Sequence, residues 1–183
     1  MWLHAERLEE YNITMDSFAR YISESGFPKT FRDIWSKMPK DLKQSVYNLK
    51  HQGQRKDKHP EGNVLKHTII VTRRALKTGD IDLALAAIFH DIGKSTTAGV
   101  HPKTGNITHY GHEKDSTKLV KKYSRWIKSM GGNPEDVLYI VNKHMRMKVF
   151  GDMRPKKQEK MKQHRLFGKL KQFSTKIDKG GRI

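Results

Sequence analysis

The stretch that most constrains this chain is Ala84-Leu85-Ala86-Ala87-Ile88-Phe89-His90-Asp91-Ile92-Gly93-Lys94. Its apolar, alanine-rich part is made of good helix formers and predicts a buried helix. That helix ends in an imidazole and a carboxylate side by side, with glycine and lysine following at once. Packing alone does not ask for two potential metal ligands at the end of a core helix. A His-Asp pair can arise by chance in a chain with 10 histidines, so its meaning rests on what surrounds it.

The 183 residues suit one compact domain with a real core. No apolar run approaches the roughly 20 residues that span a bilayer. The segment Met1-Trp2-Leu3-His4-Ala5-Glu6-Arg7 lacks the basic-then-apolar pattern of a secretory signal, so a cytoplasmic protein is expected, with no membrane partner. There is no cysteine, which excludes disulfides and thiolate metal sites and leaves histidine and carboxylate as ligands. Lysine and arginine number 37 against 19 acidic residues, a net charge of +18. Such an excess either solubilises the surface or draws phosphate-rich partners, nucleic acid or a phosphorylated small molecule.

Taken in order, residues 5 to 50 predict short helices. Phe18, Tyr21 and Ile22 share one face and stop at Gly26-Phe27-Pro28. Thr30 suits a cap for Phe31, Ile34 and Trp35, and Pro39 opens a segment with Leu42, Val46 and Leu49 on its apolar side. Residues 52 to 63 are polar and glycine-bearing, a loop ending in Asn63 as N-cap. A helix from Val64 to about Lys77 follows, with His67 near its start. Asp80 and Asp82 suit the positive end of the next helix, which runs to His90-Asp91. Residues 95 to 111 have loop composition. Tyr110-Gly111-His112-Glu113 leads into a helix that Gly131-Gly132-Asn133-Pro134 breaks. Glu135 to Met147 is helical with His144 near its end, residues 151 to 164 are polar and basic, and a last helix covers about Arg165 to Asp178. No internal repeat and no strand-like alternation of useful length is present. The expected class is all-α.

The candidate ligands His67, His90, Asp91, His109, His112, His144 and Asp178 each fall at a predicted helix terminus, where side chains of different helices can meet in a cleft. Several imidazoles with one or two carboxylates suit one or two divalent ions such as Mn, Fe, Co, Ni or Zn, with Mg also admitted. Asp91, beside His90, could bridge two ions about 3.5–4 Å apart, a spacing suited to phosphoryl chemistry.

Four segments carry a resemblance. His59-Pro60-Glu61-Gly62-Asn63-Val64-Leu65-Lys66-His67-Thr68, Phe89-His90-Asp91-Ile92-Gly93-Lys94, His109-Tyr110-Gly111-His112-Glu113 and Asp178-Lys179-Gly180-Gly181-Arg182 follow one another in the order found in the HD-domain metal-dependent phosphohydrolases. More narrowly, the chain resembles the HD domain attached to bacterial CCA-adding tRNA nucleotidyltransferases, with one glycine of the closing segment changed. The resemblance covers roughly residues 59 to 182 and implies an HD-type helical bundle around a metal-centred cleft. It also implies a division into an N-terminal helical scaffold, residues 1–58, packed on an HD core, residues 59–183.

The same resemblance implies that His67, His90, Asp91 and Asp178 hold a first metal and that His112 and His144 help hold a second. Asp91 and Lys94 are then the catalytic pair, Lys94 facing the substrate phosphate or assisting water activation. Lys94, His109 and Arg146 are the expected substrate contacts; His109 fits equally well behind the ligands, and Lys143 and Arg146 also suit a plain basic surface. Residues 1 to 58 are too short for a nucleotidyltransferase domain, so CCA synthesis is not implied. What carries over is hydrolysis of 2′,3′-cyclic phosphodiesters and of phosphate monoesters such as 2′-phosphates. The basic residues from Arg154 to Arg182 favour an RNA end or another polyanion over a small nucleoside monophosphate as substrate. A nucleoside monophosphate or cyclic-nucleotide hydrolase and a non-catalytic basic nucleic-acid-binding module are the alternatives.

Overall fold

The computed structural model describes residues 34–54 and 59–179. The helices expected before residue 34, and the Gly180-Gly181-Arg182 end of the closing segment, lie outside them. Among the described residues the structure is helical apart from one small antiparallel ribbon, as the all-α expectation requires. None of these helices is long and apolar enough to cross a membrane.

Helix α1 (Lys40–Asn48) is followed by α2 (Val64–Leu76) and α3 (Ile81–Phe89). Asn63 caps α2 by accepting a hydrogen bond from the Lys66 amide at 2.9 Å, and Asp80 caps α3 through the Asp82 and Leu83 amides. Every residue of α3 from Asp82 to Phe89 is buried, so it is the central rod of the bundle. It packs against α2 on one side and α6 (Pro134–Lys148) on another. Fully burying a side chain such as Phe89 contributes roughly 1.5–3 kcal/mol, and Phe89 also meets the rings of Tyr123 and Trp126 at 6.3 and 6.2 Å.

Ile34, Trp35, Met38, Leu42, Val46 and Leu49 belong to the same continuous core. The Trp126 indole donates to the Lys37 carbonyl at 2.9 Å, and the Tyr123 hydroxyl donates to Asp41 at 2.6 Å. The buried Asp82 carboxylate accepts from the Asn133 amide at 2.7 Å and from Lys169 at 3.0 Å, joining the starts of α3 and α6 to the C-terminal region.

Three local features differ from the sequence reading. The helix expected to run on from His112 is two, α4 (His112–Lys122) and α5 (Ser124–Ser129), because the chain leaves helical geometry at Tyr123, whose ring turns into the core. The polar stretch 151–164 contains α7 (Pro155–Lys162), with proline at its first position and Met161 as its buried anchor. The last helix is α8 (Phe167–Gln172) followed by a π-turn, Phe173–Ile177. Within the loop 95–111, β1 (Gly99–Val100) and β2 (Ile107–Thr108) pair as a short ribbon. Loop 52–63 is closed at its neck: the Val64 amide donates to the Gln52 carbonyl and the Gln54 amide to the Gly62 carbonyl, both at 3.0 Å.

Candidate metal centre

His67 lies on the first full turn of α2 and is 1% exposed. Its Nδ1 faces Glu61 Oε1 at 2.5 Å and its Nε2 faces Asp178 Oδ1 at 2.9 Å. His90 closes α3; its Nδ1 donates to the Ala87 carbonyl at 2.8 Å, which leaves Nε2 buried without a hydrogen-bond partner. At Asp91 the backbone leaves the α-helix (φ −110°, ψ 2°) and enters the 3₁₀ turn Ile92–Ser95.

That turn must lie against the start of α4, and Gly93 makes this possible. A Cβ at residue 93 would fall 2.2 Å from the His112 carbonyl oxygen and 2.8 Å from the Ser116 amide nitrogen. Ser116 fastens the seam: its hydroxyl donates to the His90 carbonyl and accepts from the Gly93 amide, each at 3.0 Å. His112 is thereby brought to 3.1 Å from Asp91 Oδ1. Its Nδ1 donates to the His109 carbonyl at 2.8 Å, and His144 repeats the device with the Val141 carbonyl at 2.6 Å. Fixing Nδ1 as donor sets the tautomer in which Nε2 carries the lone pair.

Asp91 stands in the middle. Its Oδ2 lies 3.3 Å from His90 Nε2, 3.7 Å from His67 Nε2 and 2.7 Å from Lys94 Nζ. Its Oδ1 lies 3.1 Å from His112 Nε2 and 3.9 Å from His144 Nε2. The two oxygens therefore face two different pairs of histidines. Asp178, delivered by the π-turn and 3% exposed, places Oδ1 at 2.9 Å from His67 and 3.7 Å from His90, and Oδ2 at 2.9 Å from Lys148. Arg74 on α2 donates to the carbonyls of Ile177 and Lys179 on either side of it.

These contacts set the charges. Burial disfavours ionised Asp91, but His90 and Lys94 beside it and the contact with His112 hold it well below the usual carboxylate range. Asp178 is lowered against the same penalty by His90, Lys148 and His67. Burial would lower His67, yet hydrogen bonds to Asp178 and Glu61 raise it to about 9. His144, buried with less compensation, falls to about 3.

Four imidazoles with Nδ1 held from behind, Nε2 atoms converging, an orphaned Nε2 on His90 and two buried carboxylates form a donor set that fits divalent cations. Candidate ligand groups with donor atoms mutually within 4.8 Å include His67, His90 and Asp91, and again Asp91, His112 and His144.

Beside this cluster lies a cavity of about 440 Å³, lined among others by Gln54, His59, Lys94, Ile107, His109, Tyr110, His112, Met145 and Lys148. Lys94 reaches it from its ion pair with Asp91 and also donates to Gln54 Oε1 at 2.8 Å. The His109 imidazole lines the cavity, with Nε2 facing the Gly53 carbonyl at 3.3 Å, and takes no place in the histidine cluster. Burial lowers its pKa. Arg146 is exposed and does not line the cavity, because on α6 it lies off the face that carries His144 and Lys148. Among the described residues, none of the basic ones from Arg154 to Lys179 lines it; Arg165 pairs with Asp136, and Lys169 with Asp80 and Asp82.

The sequence reading missed Glu61, Lys148 and Gln54. Lys148 had a signal, since it follows His144 by one helical turn and shares its face. Glu61 and Gln54 depend on how loop 52–63 folds back, which periodicity does not report.

Residues 64–168 match the family model described as HD domain. The chain belongs to the HD-domain family. Among curated relatives it is 33% identical over 93 residues to a multifunctional CCA protein of Burkholderia orbicola, covering 50% of this chain and 21% of that protein. It is 41% identical over 70 residues to the multifunctional CCA protein of Burkholderia vietnamiensis, covering 37% and 16%. The match thus spans about a fifth of such relatives or less. No solved structure matches significantly. In this HD-domain chain Glu61 and Asp178 lie outside the matched span, yet both touch His67.

Proposed function

We propose that this HD-domain protein is a metal-dependent phosphohydrolase, a phosphodiesterase and phosphatase acting on nucleotide or RNA-end phosphates such as 2′,3′-cyclic phosphates and 2′-phosphates. The observation that supports this best is the division of Asp91, one oxygen toward His67 and His90 and the other toward His112 and His144. His67, His90, Asp91 and Asp178 would hold a first cation, and Asp91, His112 and His144 a second. Bound there, divalent cations would bring the pKa of a coordinated water toward neutrality and offset charge on phosphoryl oxygens.

The chain's own residues do the rest. Glu61 holds the His67 ring by its Nδ1 and fixes its orientation. Lys94 and Lys148 place two ammonium groups on the cavity side of the buried carboxylates, where they attract and orient a phosphate. Strand β2 and the end of α6 wall the cavity. The curated relatives named as CCA proteins support an RNA-linked substrate, as does the charge of +18. The cavity volume, within the range of small-molecule sites, equally suits a nucleoside monophosphate or a cyclic nucleotide.

The test is metal analysis of the purified protein, then a screen of 2′,3′-cyclic, 2′-, 3′- and 5′-phosphorylated substrates with each candidate ion. Metal-dependent hydrolysis that His90→Ala and Asp91→Ala each abolish is the expected result. Full activity in a well-folded, metal-free double variant would sink the proposal, and nucleic-acid binding without hydrolysis of any substrate would favour the binding module.

A further inference from the structure

Exposed large apolar side chains are few among the described residues: Val100, Ile107, Tyr110, Met145 and Val149. On so cationic a surface their location is informative. Ile107, Tyr110 and Met145 line the cavity beside the metal-ligand cluster. Val100 is the ribbon partner of Ile107, and Val149 follows the cavity residue Lys148. Three of these five are thus gathered at one mouth, which Lys94 and Lys148 also line. Tyr110 is 75% exposed and precedes Gly111, whose φ of 77° opens α4. Exposing an aromatic face there costs hydrophobic free energy that a monomeric surface normally avoids.

Resting on the phosphohydrolase reading above, we propose that this lip is a nucleobase seat: the base of the nucleotide that carries the scissile phosphate stacks on Tyr110, with Ile107 and Met145 against its edges. The charge arrangement selects that occupant. Two ammonium groups in the cavity call for a phosphate, and an aromatic, apolar lip of the same cavity calls for a flat, uncharged ring. Every base offers such a face, so the seat accepts nucleotides without reading their sequence. The order of affinity this implies is nucleoside monophosphate above inorganic phosphate or glycerol 2-phosphate.

The experiment is equilibrium binding by calorimetry, in chelator so that no ester is turned over, of adenosine 2′-monophosphate, glycerol 2-phosphate and inorganic phosphate to wild type, Tyr110→Phe and Tyr110→Ala. The expected result is that Tyr110→Ala weakens the nucleotide by roughly tenfold or more, the scale of base–aromatic stacking, while Tyr110→Phe and both base-free phosphates stay at wild-type values. Equal affinity of wild type for nucleotide and glycerol 2-phosphate would overturn the seat, as would a Tyr110→Ala loss shared by all three probes. Ile107→Ala and Met145→Ala should each give a smaller loss confined to the nucleotide. Binding is read without turnover, so a protein that binds the base through Tyr110 but hydrolyses no ester refutes the hydrolase and leaves the seat standing. Hydrolysis with a nucleotide-to-glycerol-phosphate KM ratio unmoved by Tyr110→Ala refutes the seat and leaves the hydrolase.

Discussion

At one end of the buried cluster His67 stands between the carboxylates of Glu61 and Asp178; at the other, His112 and His144 share a single oxygen of Asp91 and are otherwise wrapped by helices. The first end drives its imidazole toward the protonated form, and the second keeps His144 neutral. Under the proposed reading, a cation arriving at the first end would have to displace a proton from His67 but would gain two carboxylates of the His67–His90–Asp91–Asp178 set. A cation at the second end meets ready lone pairs with less negative charge. The ends should therefore differ in affinity and in how that affinity varies with pH.

The severest test is Asp91→Ala, which removes the carboxylate common to both ends. Elemental analysis should find both ions lost and hydrolysis at background, with helical circular dichroism retained; an ion still bound at either end would show that the ends do not depend on a shared oxygen. Next, Gly93→Ala should force the turn away from α4 and cost about 1–3 kcal/mol in urea unfolding, with ion loss at the His112 and His144 end first. Glu61→Gln should act only on the other end, weakening its ion by about 10- to 100-fold in a chelator titration while the His144 end keeps its affinity.

A pH series on the metal-free protein separates the ends by sign. His144 has its pKa lowered from 6.5 to about 3 on folding, so the stability it contributes is present above pH 6.5 and lost as pH falls toward 3. His67 has its pKa raised from 6.5 to about 9, so its contribution is present below pH 6.5 and lost as pH rises through 9. Thermal melts in chelator should thus peak near pH 6.5, and His144→Phe should flatten the acid limb alone. The smallest expected effect is that of Arg146→Ala: because this side chain does not line the cavity, kcat and KM on mononucleotide esters should stay at wild-type values.

Much of this was legible in the chain. Helix periodicity and caps placed α2, α3 and α6, and put histidines at helix ends where side chains of different helices can meet. Asn63 as N-cap of α2 needed only local hydrogen bonding and is as expected, and the acidic opening read at Asp80 and Asp82 is the start of α3, with Asp80 as its cap. What escaped depends on tertiary return. The break at Tyr123 reflects a ring drawn into the core, and the helix 155–162 is anchored by Met161 in a segment whose composition is polar and basic. Glu61 reaches His67 only because the neck of loop 52–63 is closed, and Arg146 was drawn toward the cleft by its proximity in sequence to His144, though helical geometry turns it elsewhere.

The meeting of His67 and Asp178 spans 111 positions of sequence. A contact of that separation is expensive in chain entropy and is expected late in folding. Until the π-turn docks under Arg74, the donors on α2, α3, α4 and α6 can gather without Asp178, and a cation captured then is held by an incomplete set. Under the proposed reading, docking of the turn and tightening of the ion would be one linked equilibrium, each stabilising the other by the same amount. Metal supply during refolding should therefore act chiefly on the last step, the closure of residues 173–179, and proteolysis within that segment should become slower as the ion concentration rises.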